Sequence, residues 1–193
     1  IKGKESNFRW IIDPLDGTSN FIHAIPYFCI SIGLEKISAG KSEIVAGVIY
    51  DPIHNELFTA EKGEGAYMNG RRILVSKRDQ LEDSLLVLGN PKHALKEQKD
   101  LFRLMDTLLS SKATLRHFGA TALDLANIAA GRLDACWYYS IQPWDIAAGL
   151  LLVQEAGGLV GSLDDKAFSV HSGSLLASNR ELAEPIRKLL SHK

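Results

Sequence analysis

In the first half of the chain, apolar and polar residues alternate with a period of two. Runs at Phe8–Asp13, Tyr27–Leu34, Ile44–Tyr50 and Glu56–Ala60 therefore predict β-strands. Turn-forming groups separate them: Ala39-Gly40-Lys41, Asp51-Pro52 with His54-Asn55, and Lys62-Gly63-Glu64-Gly65. Connections this short predict antiparallel neighbours. Ser84–Gly89 predicts a further strand, ended by Asn90-Pro91.

From about His93 to Ser111 the period lengthens. Leu95, Leu101, Leu104, Met105 and Leu108 share one face opposite lysines and acids, so the spacing predicts an amphipathic helix. A strand at Thr114–Phe118 precedes a small-residue helix, opened by Gly119-Ala120-Thr121, running to Ala130 and stopped by Gly131. Leu133–Tyr139 predicts a strand. Pro143-Trp144-Asp145 starts a helix that is apolar nearly all round, which implies burial on most sides, and Gly157-Gly158 ends it. A strand at Ser174–Ala177 and an amphipathic helix from Arg180 to Leu190 complete the pattern. No repeat or low-complexity linker divides it. The pattern predicts one α+β domain over residues 1–193 with layers of helix and sheet. If there are two lobes, their boundary falls near residue 112.

Composition narrows the possible functions. Apolar residues make up 46% and charged residues 23%, a balance that excludes disorder. The net charge of −1 gives no general attraction to nucleic acid or anionic membrane. The longest candidate for a membrane span, Ile146–Val153, is far too short. Cys29 and Cys136 sit inside apolar runs without a CxxC pattern, as buried thiols of a reducing, cytoplasmic compartment do. The polar opening Ile1–Asn7 carries no signal-peptide pattern, and the chain reads as the later part of a longer protein.

The chemistry is concentrated in Trp10-Ile11-Ile12-Asp13-Pro14-Leu15-Asp16-Gly17-Thr18-Ser19-Asn20-Phe21. An apolar strand ends in two carboxylates three residues apart, followed by Gly17 and Thr18. Hard divalent cations take carboxylate oxygens, and phosphate takes backbone N–H groups at a turn or helix start. This combination points to a metal-dependent phosphate site. The plainer alternative is that Asp-Pro and Asp-Gly are turn dipeptides and that Asp16 caps a helix starting near Thr18. Asp145 lies in the first turn of the buried helix, where the helix dipole favours an anion and a simple stabilising role would suffice. The Ala147-Ala148-Gly149 run that follows has almost no bulk, however, and permits a close approach that a cap does not need.

Together, Asp13-Pro14-Leu15-Asp16-Gly17-Thr18-Ser19-Asn20-Phe21 and Trp144-Asp145-Ile146-Ala147-Ala148-Gly149 resemble the paired signature of the inositol monophosphatase family. The resemblance extends over Ile49–Pro52, Gly63–Asn69 and Glu155–Gly158. It implies the layered αβαβα sandwich of the inositol monophosphatase and fructose-1,6-bisphosphatase type, lacking its N-terminal elements. It also implies Mg²⁺-dependent hydrolysis of a small phosphate monoester, with myo-inositol-1-phosphate first. By position, Asp13, Asp16, Asp145 and the Leu15 carbonyl would hold metal. The Gly17 and Thr18 amides would hold phosphate, the Thr18 hydroxyl would orient the attacking water, and Gly119, Ala120 and Thr121 would contact substrate. Mg²⁺ suits these residues, since it can lower the pKa of a water and offset charge on phosphate and leaving group. No covalent nucleophile is needed. A homodimer and lithium inhibition are family expectations.

Two departures stand out. The family uses a glutamate upstream of the first motif; Glu5 is the only nearby acid and reads as solvated loop, so the full protein supplies that residue or the fragment is catalytically incomplete. Six residues before Trp144, where many members place a glutamate against an inositol hydroxyl, stands Tyr138. A phenol can still hydrogen-bond a hydroxyl, but without charge. Other readings are a sister phosphatase acting on fructose 1,6-bisphosphate, histidinol phosphate or a 3′-phosphonucleotide, and a regulatory binding protein of the transcription machinery. The histidines, His23, His54, His93, His117, His171 and His192, lack paired metal-ligand spacing and read as exposed or structurally bonded. Arg71-Arg72 and Lys77-Arg78 read as a solvated hairpin edge.

Overall fold

The computed structural model describes residues 7–38, 41–89, 106–163 and 168–191. Glu5, the turn at Ala39-Gly40, His93, His192 and most of the helix expected from His93 lie outside these residues, though 106–110 are helical.

The period-two half folds as an antiparallel meander of six strands in chain order: β1 (Phe8–Asp16), β2 (Cys29–Ser38), β3 (Lys41–Asp51), β4 (Glu56–Glu61), β5 (Gly65–Met68) and β6 (Arg71–Ile73). The last two form a hairpin over Asn69-Gly70, both with positive φ (49° and 75°), the backbone twist that two-residue hairpins require. The hairpin edge expected at Arg71-Arg72 is β6.

The second sheet contains β7 (Leu85–Leu88), β8 (Thr114–Arg116), β9 (Ala135–Tyr139), β10 (Leu159–Gly161) and β11 (Ser174–Ser178), in the order β10-β11-β9-β7-β8. β7 runs parallel to β8 and β9, and the other pairs are antiparallel. Besides the helical residues 106–110, the helices among the described residues are α1 (Thr18–Ile22), α2 (Thr121–Ala129), α3 (Pro143–Glu155) and α4 (Arg180–Ser191). α3 packs on β2 and β3, α2 packs on α3 and β9, and α4 lies against β11. The layers therefore run sheet, helices, sheet, helix, an α+β sandwich. One core, including Ile49, Phe58, Leu123, Leu125, Ile146 and Leu152, fills the space around α2 and α3. A second, with Leu86, Trp137, Leu182 and Ile186, lies under α4. No helix among the described residues is long and apolar enough to cross a membrane.

α3 reaches the first sheet through glycine. A Cβ added to Gly33 of β2 would stand 2.7 Å from the Ala147 Cβ, and one on Gly47 of β3 would stand 2.9 Å from the Ala148 carbonyl oxygen. The close approach expected of the Ala-Ala-Gly run is thus made to two strands at once. On the other face of the sheet, Phe8, Trp10 and Ile12 of β1 are 49%, 64% and 51% exposed.

One expectation is corrected. Arg78 is not simply solvated: its guanidinium donates at 2.9 Å to Asp134, a fully buried carboxylate that also accepts from the Leu85 amide at 2.7 Å and from the Ser76 hydroxyl. Asn179 donates to Ser76 Oγ and to the Arg78 carbonyl, and accepts from the Leu182 amide at the start of α4. A buried anion needs such partners, and this network fixes the crossing from the first sheet to the second. Cys29 and Cys136 are free, buried thiols, as expected.

Candidate metal and phosphate site

Residues i and i+3 of a regular strand point to opposite faces, so Asp13 and Asp16 could not act together on an unbroken β1. The register shows how they do. Asp13 pairs with Ser31 and Asp16 with Cys29, so three steps on β1 match two on β2. The extra residue is a bulge in the Pro14-Leu15 stretch, where proline has no N–H to give the ladder. It turns both carboxylates to the inner face, shared with fully buried Cys29 and Ser31. Asp145 arrives from α3, whose first turn is started by Pro143 and capped reciprocally by Gln142 and Asp145. The Gly33 and Gly47 contacts seat that helix on the sheet. Carboxylate oxygens of Asp13, Asp16 and Asp145 consequently lie within 4.8 Å of one another.

Each carboxylate accepts from a backbone amide: Asp13 from Leu15 at 3.0 Å, Asp16 from Ala122 at 2.6 Å and Asp145 from Gln142 at 3.1 Å. Amides carry no net charge, so the repulsion among the three remains. Burial pushes Asp16 up to about 7 against the pull of the Ala122 amide, with Asp145, Asp13 and Asp124 adding to the rise. Burial also lifts Asp145 to about 6, opposed by the Gln142 amide and reinforced by Asp13. Three converging hard oxygens held at this energetic cost are a donor set suited to a divalent cation.

Beside the cluster, Gly17 adopts φ +86°, and a Cβ there would meet the Tyr27 carbonyl at 2.9 Å and the Ala120 Cβ at 3.1 Å. α1 follows with Gly17 as its N-cap, so Asp16 is not the cap of that helix. Exposed Thr18 donates its hydroxyl to the Leu15 carbonyl at 2.9 Å. Gly119-Ala120-Thr121 lies against this turn: Ala120 borders Gly17, and Gly119 borders Asn20. Asn20, which the sequence reading did not single out, donates to the Tyr27 and Phe118 carbonyls at 2.8 and 2.7 Å. Asp13, Leu15, Asp16, Gly17, Thr18, Asp145 and the Gly119–Thr121 segment are therefore neighbours. Tyr138 is placed differently. It is 7% exposed, its ring covers Gly89, and its hydroxyl donates to buried Asp124, so the free phenol expected to meet substrate is already engaged. Of the histidines, His23, His54 and His117 bond to Ser19, Asp51 and Leu88, and His171 bonds to Glu35, all structural roles.

The sequence pattern of the inositol monophosphatase family matches residues 1–193. An inositol-1-monophosphatase of Mesorhizobium japonicum is 43% identical over 195 residues, covering 99% of this chain and 72% of that protein. A Pasteurella multocida protein named Nus factor SuhB is 41% identical over 186 residues, covering 96% of this chain and 68% of that protein. The crystal structure of the extragenic suppressor protein suhB from Bartonella henselae superposes with a TM-score of 0.88 at 43% identity, covering 98% of this chain and 71% of that one.

Proposed function

The chain belongs to the inositol monophosphatase family, phosphoric monoester hydrolases that depend on metal, and we propose that it converts myo-inositol-1-phosphate to inositol and phosphate with Mg²⁺. The observation that carries this reading is the convergence of Asp13, Asp16 and Asp145 beside the Gly17-Thr18 turn. Mg²⁺ in this site would supply an acidified water and neutralise charge on the phosphoryl and leaving oxygens. Asp13, Asp16 and Asp145, with the Leu15 carbonyl as a further oxygen donor, would hold the cation. The Gly17 and Thr18 amides bind phosphate oxygens at the turn, without any charged side chain. Thr18 uses its hydroxyl, which rests on Leu15, to orient the attacking water, with Asp16 as the carboxylate next to it. Gly119, Ala120 and Thr121 border the polyol. The protein works in the cytoplasm as a homodimer, with both sheets forming one domain.

Phosphate release from inositol-1-phosphate, fructose 1,6-bisphosphate, histidinol phosphate and a 3′-phosphonucleotide, with Mg²⁺ and with chelator, tests this reading. Inositol-1-phosphate is expected to turn over fastest and only with Mg²⁺. A faster rival substrate would reassign the chain to a sister activity. The relative named Nus factor SuhB favours a second reading, a regulatory partner of transcription complexes. Normal complementation of a deletion strain by Asp16→Asn would support that role over the enzymatic one.

A further inference from the structure

Asp124 is a charged residue with no exposed surface on α2, a helix otherwise built mainly from alanine and leucine. Both of its carboxylate oxygens are used. Oδ1 accepts from the Tyr27 hydroxyl at 2.7 Å and Oδ2 accepts from the Tyr138 hydroxyl. Tyr27 is itself held by Asn127, whose Nδ2 lies 3.3 Å from the phenol oxygen. The grip therefore joins three elements: the segment before β2, helix α2 and strand β9.

The position of this grip suggests its purpose. Two residues before Asp124, the Ala122 amide donates to Asp16. Two residues after Tyr27, Cys29 is the strand partner of Asp16. Tyr27 also stacks on Phe118 with ring centroids 5.0 Å apart, and its carbonyl abuts Gly17. Asp16 thus sits between two segments, and the Tyr27–Asp124 bond sets the spacing between them. We propose that Asp124, gripped by Tyr27 and Tyr138, is a positioning residue that fixes the Ala122 amide against Asp16 and so sets the cation affinity of the site. On this view Tyr138 tunes metal binding and is not a substrate contact. The inference rests on the reading of Asp16 as a metal ligand.

The test compares Tyr27→Phe, Tyr138→Phe and Asp124→Asn with the unmodified protein. The readouts are the Mg²⁺ concentration that half-saturates thermal stabilisation, and separately the Mg²⁺ requirement and the KM for inositol-1-phosphate in turnover. Partners behind metal ligands commonly change affinity by about 10–100-fold; acting one step further out, this grip should shift the Mg²⁺ midpoint by about 5–10-fold. KM should stay within about twofold, as expected for a group that does not touch substrate. The Tyr→Phe variants each remove one oxygen atom and keep the test valid should Asp124→Asn fail to fold. An unchanged Mg²⁺ midpoint in both Tyr→Phe variants overturns the proposal. So does a raised KM in Tyr138→Phe with an unchanged Mg²⁺ requirement, which would make Tyr138 a substrate contact. If the unmodified protein shows Mg²⁺ stabilisation but no turnover, the phosphatase reading fails while the melting midpoints still decide this one. Without any Mg²⁺ stabilisation, both fail.

Discussion

Gly33 of β2 and Ala147 of α3 meet so closely that a Cβ on Gly33 would stand 2.7 Å from the Ala147 Cβ. This contact sets how near α3 lies to the sheet, and Asp145 rides on the first turn of α3. Gly33→Ala should therefore cost about 1–3 kcal/mol of stability, the usual range for overpacking, and lower Mg²⁺-dependent turnover by displacing Asp145. Adding Ala147→Gly should restore part of both, and a double-mutant cycle on the denaturant midpoint checks the coupling.

The carboxylate cluster makes a pH prediction. Asp16, at about 7, and Asp145, at about 6, both lie above their ordinary value of 3.8. The folded protein then binds more protons than the unfolded chain between those values. Their contribution to stability is fully present below the unfolded value and is lost as pH rises through 6 and 7. Metal-free protein should melt at a lower temperature at about pH 8 than at about pH 5.5. Added Mg²⁺ should stabilise it more at the higher pH, where no protons need be displaced. Calorimetry with chelator and with Mg²⁺ at both pH values reads this directly.

The buried network at the crossing between the sheets is a separate target. Asp134→Ala would strand the Leu85 amide, the Ser76 hydroxyl and the Arg78 guanidinium together. A loss of about 2–5 kcal/mol is expected, visible as a lower urea midpoint, because the Leu85 amide and the Ser76 hydroxyl each lose an acceptor at about 1–3 kcal/mol apiece while the half-exposed Arg78 adds little. Asn179→Ala should lose less, about 1–3 kcal/mol, because its partners are uncharged or remain paired with Asp134.

Gly17 tests the phosphate turn. At φ +86° an added Cβ is strained by about 1–2 kcal/mol even before it meets Tyr27 and Ala120. Gly17→Ala should raise KM for the phosphate ester more than it raises the Mg²⁺ requirement, as steady-state kinetics would show.

Much of this was legible in the sequence. The long alternating runs became β1 to β4, and the nearly all-apolar helix at Pro143 became the buried α3, because periodicity over many residues is a strong signal. The short β5 and β10 were missed because each lies directly after a glycine turn and is too brief to carry a measurable period of its own. The three aspartates could be named from local chemistry and motif, and the structure brings them together. How they come together was not legible. The bulge in Pro14-Leu15 depends on pairing with β2, and the Ala122 amide lies 106 residues from Asp16. The bond from Tyr138 to Asp124 was not legible for the same reason: Asp124 is a tertiary neighbour. An acidic residue inside a helix built mainly from alanine and leucine was the available clue.

The most direct test of the account is Mg²⁺ binding by calorimetry, run beside phosphate release from inositol-1-phosphate, for the unmodified protein and for Asp145→Asn. The unmodified protein should bind Mg²⁺ and release phosphate only in its presence, and the variant should fold but lose both. Undiminished binding and turnover in Asp145→Asn would contradict the assignment of Asp13, Asp16 and Asp145 as the metal site.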